Sequence, residues 1–271
     1  MAQAAHPLRL ADYSTGSRVE FEAAFGRMNV PLAADYQHYL LSIDYSPYPE
    51  VHTYFGLPFS GYQGIDHADN FIRGNIMTGA GYRLALTDWV SLGFSLRLFL
   101  PTYDQAEPVD YGLPQDPRRA ILTHWHSAYQ YALADYFPIK PALAVRFEYA
   151  HFFLQLDGGF TWAPKVEDTP GRPENLWMLE YGAGLGYDIM GYVELGASLT
   201  GLADPDKKAK NLGDVMGLSA KRPRSLHVVT VGPRAQYKWA VLRFEANFPL
   251  ESRFRSMLDP YYSVAFQVQW D

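Results

Sequence analysis

The sequence predicts an all-β chain closed into an antiparallel, up-and-down transmembrane barrel of about 12 strands, with one helix in a long extracellular loop. Three observations predict it. From residue 17 to the end, runs of about ten residues alternate apolar and polar side chains, the period of a strand with one face on lipid and one on an interior. Six runs end on an outward-phase aromatic: Tyr45, Tyr82, Tyr149, Tyr187, Tyr237 and Trp270. Amphipathic rings collect at a lipid–water boundary, so a row of them at one end of every second strand marks a membrane girdle. Finally, the connections between runs sort into short on one side and long on the other, as barrel turns and loops do.

Composition agrees. Mean hydropathy is −0.19, too low for a helical membrane protein, and no apolar run approaches the roughly 18–20 residues that a membrane helix needs. Alternation hides a lipid-facing surface from such averages. Aromatics make up 15% of the chain, 20 of them Tyr, enough for two interfacial belts. The absence of Cys excludes thiol catalysis, Cys-based zinc sites and disulfides. A net charge of −6 and a pI near 5.7 give no general surface for nucleic acid.

The elements follow in order. Residues 17–27 put Val19, Phe21, Ala23 and Phe25 outward, with Arg18, Glu20 and Glu22 inward. Residues 37–46 put Tyr39, Leu41, Ile43 and Tyr45 outward against His38, Ser42 and Asp44. Residues 50–58 are a weaker run, and residues 71–84 place Ile76, Thr78, Ala80 and Tyr82 outward and Arg83 inward. The clearest strand is 89–101, with five Leu or Phe between Leu92 and Leu100 on one face and Ser91, Gly93, Ser95 and Arg97 on the other. Residues 139–149 set Arg146 and Glu148 inward, and 153–162 set Gln155 and Asp157 inward. Residues 176–187 set Glu180 and three glycines inward, and 192–200 set Glu194 inward. Residues 227–237 carry Arg234 inward, but Pro233 weakens the run as a central strand. Residues 241–250 set Arg243, Glu245 and Asn247 inward. The last run, 261–270, puts Tyr262, Val264, Phe266, Val268 and Trp270 outward.

At this point the chain resembles bacterial outer-membrane β-barrel proteins as a broad class. The last run carries the match, because it looks like the C-terminal strand read by the barrel assembly machinery; Asp271 departs from the usual terminal aromatic. The resemblance implies outer-membrane lipid and lipopolysaccharide as surroundings, the assembly machinery as partner, and short turns facing the periplasm. It names no particular family. Residues 1–16 would be an N-terminal periplasmic segment and 17–271 the barrel. Met1-Ala2-Gln3-Ala4-Ala5 resembles the small-residue region at a signal cleavage site, so we expect an exported protein shown without its signal peptide.

One stretch breaks the alternation. Asp116 and Pro117 form a helix start, an N-cap followed by Pro at the first helical position. Ile121, Leu122, Trp125, Ala128, Tyr129, Ala132, Leu133 and Tyr136 then recur at helical spacing, and Pro138 would stop the helix. Inside the loop of about 102–138, this helix could constrict the lumen, lie on the rim, contact a second subunit or simply cap the mouth.

The expected lumen-lining residues are Arg18, Glu20, Glu22, Asp44, Arg83, Arg97, Arg146, Glu148, Asp157, Glu180, Glu194, Arg234, Arg243 and Glu245; Asp188 and Lys238 share their phase. So mixed a set either fills the interior as cross-strand pairs or lines a weakly selective pore; an anion-selective pore would show a basic excess. Inward glycines at 79, 81, 93, 182, 184, 186 and 196 leave room for water, a ligand or an inserted loop, or offset bulky residues from the opposite wall.

No catalytic residues, metal site or cofactor are indicated. His124 and His126 sit about 200° apart on a helix and cannot share a metal, and no motif anchors a Ser/His pair among His38, Ser42, His124, His126 and Ser127. The loop at 201–226 is basic and suits anionic lipopolysaccharide or plain solvent. The expected function is a low-selectivity channel for small hydrophilic solutes. The alternatives are a non-conducting structural or lipid-associated barrel, as a homo-oligomer, and third an outer-membrane lipid hydrolase. Mid-strand aromatics such as Phe147 and Tyr181 would be subunit contacts or face acyl chains.

Overall fold

The computed structural model describes residues 16–28, 34–63, 69–102, 129–133, 135–167, 173–189, 191–205, 224–251 and 259–270. Thirteen strands form one antiparallel sheet: β1 (Ser17–Met28), β2 (Ala34–Tyr48), β3 (Val51–Gln63), β4 (Asp69–Arg73), β5 (Ile76–Thr87), β6 (Val90–Leu100), β7 (Ile139–Tyr149), β8 (Phe152–Pro164), β9 (Asn175–Ile189), β10 (Val193–Ala203), β11 (Ser225–Tyr237), β12 (Ala240–Pro249) and β13 (Tyr261–Trp270). Apart from β4 and β5, consecutive strands pair with each other, and β1 pairs with β13 from Ser17↔Trp270 to Phe25↔Tyr262, so the sheet closes on itself. β4 and β5 both pair with β3 and act as one stave, which gives a closed barrel of 12. Closure of β1 on β13 pairs the first and last strands, and among the described residues only the short β4 keeps an edge without a ladder partner; closure of this kind lets a sheet stand in lipid.

Alternation sets the register, because a slip by one residue would turn every apolar side chain inward. Along β8 the burial runs with period two: Phe153, Gln155 and Asp157 are buried and Leu154 and Leu156 exposed. The exterior is a continuous apolar surface, and all six girdle aromatics are exposed on it, from Tyr187 at 40% to Tyr149 at 82%. A second aromatic cluster sits near the opposite end, where Trp162 stacks on Trp177 with ring centroids 5.9 Å apart.

The short turns follow from local chemistry. Ala150 and Lys238 take φ of 53°, the left-handed start of a tight two-residue hairpin turn. Gly191 takes φ of 74°, and its N–H donates to Asp188 Oδ1 at 2.9 Å. Lys238 is therefore an exposed turn residue over the Tyr237 ring and not the inward residue its phase suggested. Pro233 is tolerated within β11 because the β11–β12 ladder skips it, between Val231↔Ala246 and Arg234↔Arg243. Its neighbour has to be Gly232, since a Cβ there would lie 1.8 Å from the Phe244 carbonyl oxygen.

Two expectations need correction. The single run at 71–84 is broken at Gly74-Asn75, where the backbone leaves the ladder. No α-helix stands among the described residues. Residues 116–128 of the expected helix lie outside them, and its last third is a single 3₁₀ turn, Tyr129–Ala132. The Tyr136 N–H then donates to the Leu133 carbonyl at 3.4 Å, and Tyr136 makes an isolated bridge to Lys165. Tyr129, Leu133 and Tyr136 of that apolar spacing are buried, but not as one face of an α-helix.

Candidate functional site: a plugged, charge-lined lumen

Residues 129–133, 135 and 136 fold into the barrel. Tyr129, Gln130, Tyr131, Leu133, Asp135 and Tyr136 are all buried, the most exposed at 4%. A buried loop must find partners for its backbone, and the wall supplies them. Asn75, fully buried at the break between β4 and β5, donates from Nδ2 to the carbonyls of Gln130 at 3.0 Å and Leu133 at 2.8 Å. Its own N–H donates to the Tyr131 carbonyl at 2.8 Å. Gln130 Nε2 reaches across to Thr161 Oγ1 and Glu180 Oε1, both at 2.7 Å. The second Glu180 oxygen holds the Lys140 ammonium. Tyr131 packs edge-on against Phe99, with centroids 5.1 Å apart, and needs the bare backbone of Gly56, where a Cβ would meet its hydroxyl at 2.9 Å. Beyond the turn, the Val166 N–H donates to the Asp135 carbonyl and the Tyr136 hydroxyl to the Pro173 carbonyl. Burial pushes the Tyr129 phenol well above its ordinary pKa, with the Glu180 carboxylate adding to it, so the plug carries a neutral ring.

All fourteen of the charged residues singled out from the sequence are buried or half-buried. They gather into clusters. On β1, β12 and β13, Arg243 Nη2 lies 2.7 Å from Glu22 and 3.3 Å from Glu20, and its Nε lies 3.2 Å from Glu245. Ser263 Oγ donates to Glu245 at 2.9 Å. On β1–β3, Arg18 pairs with Asp44 at 3.2 Å, and His52 Nδ1 lies 3.4 Å from the same carboxylate. Arg97 lies over the Tyr54 ring at 5.2 Å. Nearer the short turns, Arg146 Nε donates to Glu148 at 2.6 Å and its guanidinium covers Phe153 at 4.3 Å. Gln155 donates to Asp157 at 2.9 Å, and Arg234 Nη1 lies 3.7 Å from Glu194. Arg83 is half-buried at the short-turn end, where its backbone N–H donates to the Glu50 carbonyl.

Sequence reasoning missed Lys140, Gln130, Thr161 and Asn75. Lys140 was within reach, since it shares the even phase of Arg146 and Glu148 on β7. Substituting it for Lys238 leaves nine acids against seven bases, so the interior stays mixed. Two inward glycines make room for rings on the neighbouring strand rather than the opposite wall: Gly186 for Phe153 on β8 and Gly81 for the Tyr54 hydroxyl on β3.

The histidines described give no hydrolase geometry in the lumen. His38 Nδ1 lies 2.6 Å from Ser60 Oγ rather than Ser42, and both are fully buried where a lipid cannot reach. On the outer face, Tyr181 reaches over Gly201 to His227 Nε2 at 2.5 Å, and His227 Nδ1 contacts Glu251; no Ser joins that chain among the described contacts. His124, His126 and Ser127, the basic residues at 207–222 and the segment 1–15 lie outside the described residues. Among the described residues no cluster of three His, Asp or Glu could hold a metal.

No family model matches the chain, and no curated protein does. Solved structures do. An outer-membrane channel of the COG4313 group from Pseudomonas putida F1 is 12% identical with a TM-score of 0.64, covering 98% of this chain and 100% of that one. The fold is that of a bacterial outer-membrane β-barrel. The translocator domain of the autotransporter NalP from Neisseria meningitidis matches at 12% identity and a TM-score of 0.53, over 94% of this chain and 89% of that one. A KdgM porin matches at 10% identity and a TM-score of 0.50, over 94% and 99%. Identities this low speak for the shared barrel architecture.

Proposed function

We propose that this chain is an outer-membrane channel for small hydrophilic solutes, closed in the described conformation by residues 129–133, 135 and 136. The exposed apolar belt, with aromatics at both ends, would face lipid, the short turns the periplasm and the long loops the exterior. The supporting observation is the plug itself. It is held by hydrogen bonds inside a polar, charged lumen, and such bonds are individually modest because water can replace them. A loop fixed by apolar packing alone would have no such route to release. The mixed lining supports low selectivity, and the similarity to channels and porins is consistent with it. Lipopolysaccharide at the long-loop rim and the assembly machinery at β13 belong to the same proposal.

A non-conducting structural barrel, single or as a homo-oligomer, is the second reading. The Arg243 cluster favours it, since three carboxylates around one guanidinium fill space as a staple would. Planar-bilayer conductance of the refolded chain, intact and with residues 105–136 deleted, separates the two. Steps in either protein support the channel, and steps only after deletion identify the plug as its gate. Silence in both, with the barrel folded, overturns the channel reading.

A further inference from the structure

At the short-turn mouth, beyond the plug, the lumen opens into a cavity of about 380 Å³. Turn residues Ala150, His151, Gly191 and Tyr192 form its rim. Its size falls at the small end of ligand sites. Its walls come from β7–β11, and their chemistry is divided. Two guanidiniums line it, Arg146 and Arg234, with side chains 5% and 7% exposed. Three carboxylates line it as well, Glu148, Asp188 and Glu194.

The charges are not fully used within the protein. Arg146 Nη1 and Arg234 Nη2 are buried without a hydrogen-bond partner. The Arg234–Glu194 contact, at 3.7 Å, is too long for a hydrogen bond. Buried guanidinium N–H groups are costly to leave unpaired, and a carboxylate is the acceptor that matches their fork. A net anion would meet three carboxylates, a net cation two guanidiniums, and an apolar solute the desolvation cost of all five. The ligand that satisfies both sets carries one charge of each sign.

We infer that this vestibule binds small zwitterions of the amino acid or dipeptide class, the carboxylate taken by Arg146 and Arg234 and the ammonium by Asp188 and Glu194. The inference names the solute class for the proposed channel and rests on that reading for traffic, while binding itself needs no open path.

The test is calorimetric titration of the full refolded chain in detergent with three probes: glycylglycine, N-acetylglycine as its anionic analogue and glycinamide as its cationic one. Glycylglycine should bind at least about tenfold more tightly than either analogue, and R234M should lose that preference while keeping the heat-modifiable gel shift of a folded barrel. Equal binding of all three, tighter binding of N-acetylglycine, or no heat with any probe overturns the inference on the wild-type chain alone, whether or not R234M folds. A chain that discriminates the probes but never conducts keeps the site and sinks only the channel. One that conducts without discriminating does the reverse.

Discussion

Asn75 ties the third long loop into the lumen: its side-chain amide donates to the Gln130 carbonyl at 3.0 Å, across 55 residues of chain, and to the Leu133 carbonyl beside it. Asn75 sits where the stave of β4 and β5 breaks, so the interruption of the wall and the docking of the plug are one feature. Asn75→Ala removes two side-chain hydrogen bonds, at about 0.5–1.5 kcal/mol each, while the Gln130 and Leu133 carbonyls keep the Leu133 and Tyr136 N–H groups. The plug should loosen, and N75A should show more frequent or larger conductance steps than the intact protein in planar bilayers. An unchanged trace would mean that the plug is held elsewhere.

Lys140 and Glu180 form a buried pair under the plug, with side chains 3% and 1% exposed. Glu180→Gln leaves a buried ammonium without its counter-charge, which costs about 3–5 kcal/mol. Glu148→Gln, at 22% exposure beside the open mouth and with an amide oxygen still able to accept from Arg146, should cost less. Urea midpoints of the folded gel band should rank them in that order. Adding Lys140→Met to E180Q should recover most of the loss, because the stranded charge is then gone.

Gly232 and Gly158 make a matched pair. A methyl at 232 meets the Phe244 carbonyl oxygen at 1.8 Å, while one at 158 meets nothing within 4 Å. Gly232→Ala should therefore part β11 from β12 and reduce the yield of folded barrel in detergent. Gly158→Ala should refold as the parent does.

Arg243 balances Glu20, Glu22 and Glu245 at once. Arg243→Gln removes one positive charge from the lumen and leaves three carboxylates facing each other. Its folded state should melt at lower urea than the parent. In any conducting state its reversal potential in a salt gradient should move toward cation selectivity; a shift toward anions would mean that the solute path avoids this cluster.

Exposed indoles test the placement in lipid. Trp239 and Trp177 lie near opposite ends of the barrel, 57% and 45% exposed. Chains keeping only one of them should both be quenched by brominated lipids, most strongly when bromine sits near the headgroups. Fluorescence unchanged by bromine at any depth would remove the barrel from the membrane.

The barrel was legible in the sequence because alternation is a local property that repeats. Each run of β7 or β13 states by itself which side chains face in and which face out, and a mismatch would bury charge in lipid or expose it. Strand order followed from the short connections, and the burial of Arg146, Asp157 and Arg243 agrees with their phase. Lys140 carried the same signal.

What the sequence by itself determined, then, is the closed antiparallel wall, its apolar exterior and its mixed-charge interior. The tertiary structure alone decided the conformation of residues 129–133, 135 and 136 and their place in the lumen. Their 3.6-residue spacing suits a helix, but a backbone enclosed by a polar wall takes whatever shape lets Asn75, Thr161 and Glu180 satisfy its carbonyls and its Gln130 side chain. The pairing of Arg243 with Glu22 likewise spans 221 residues, and no local pattern encodes it. It exists because β1 closes on β13, bringing the first strand within one neighbour of β12.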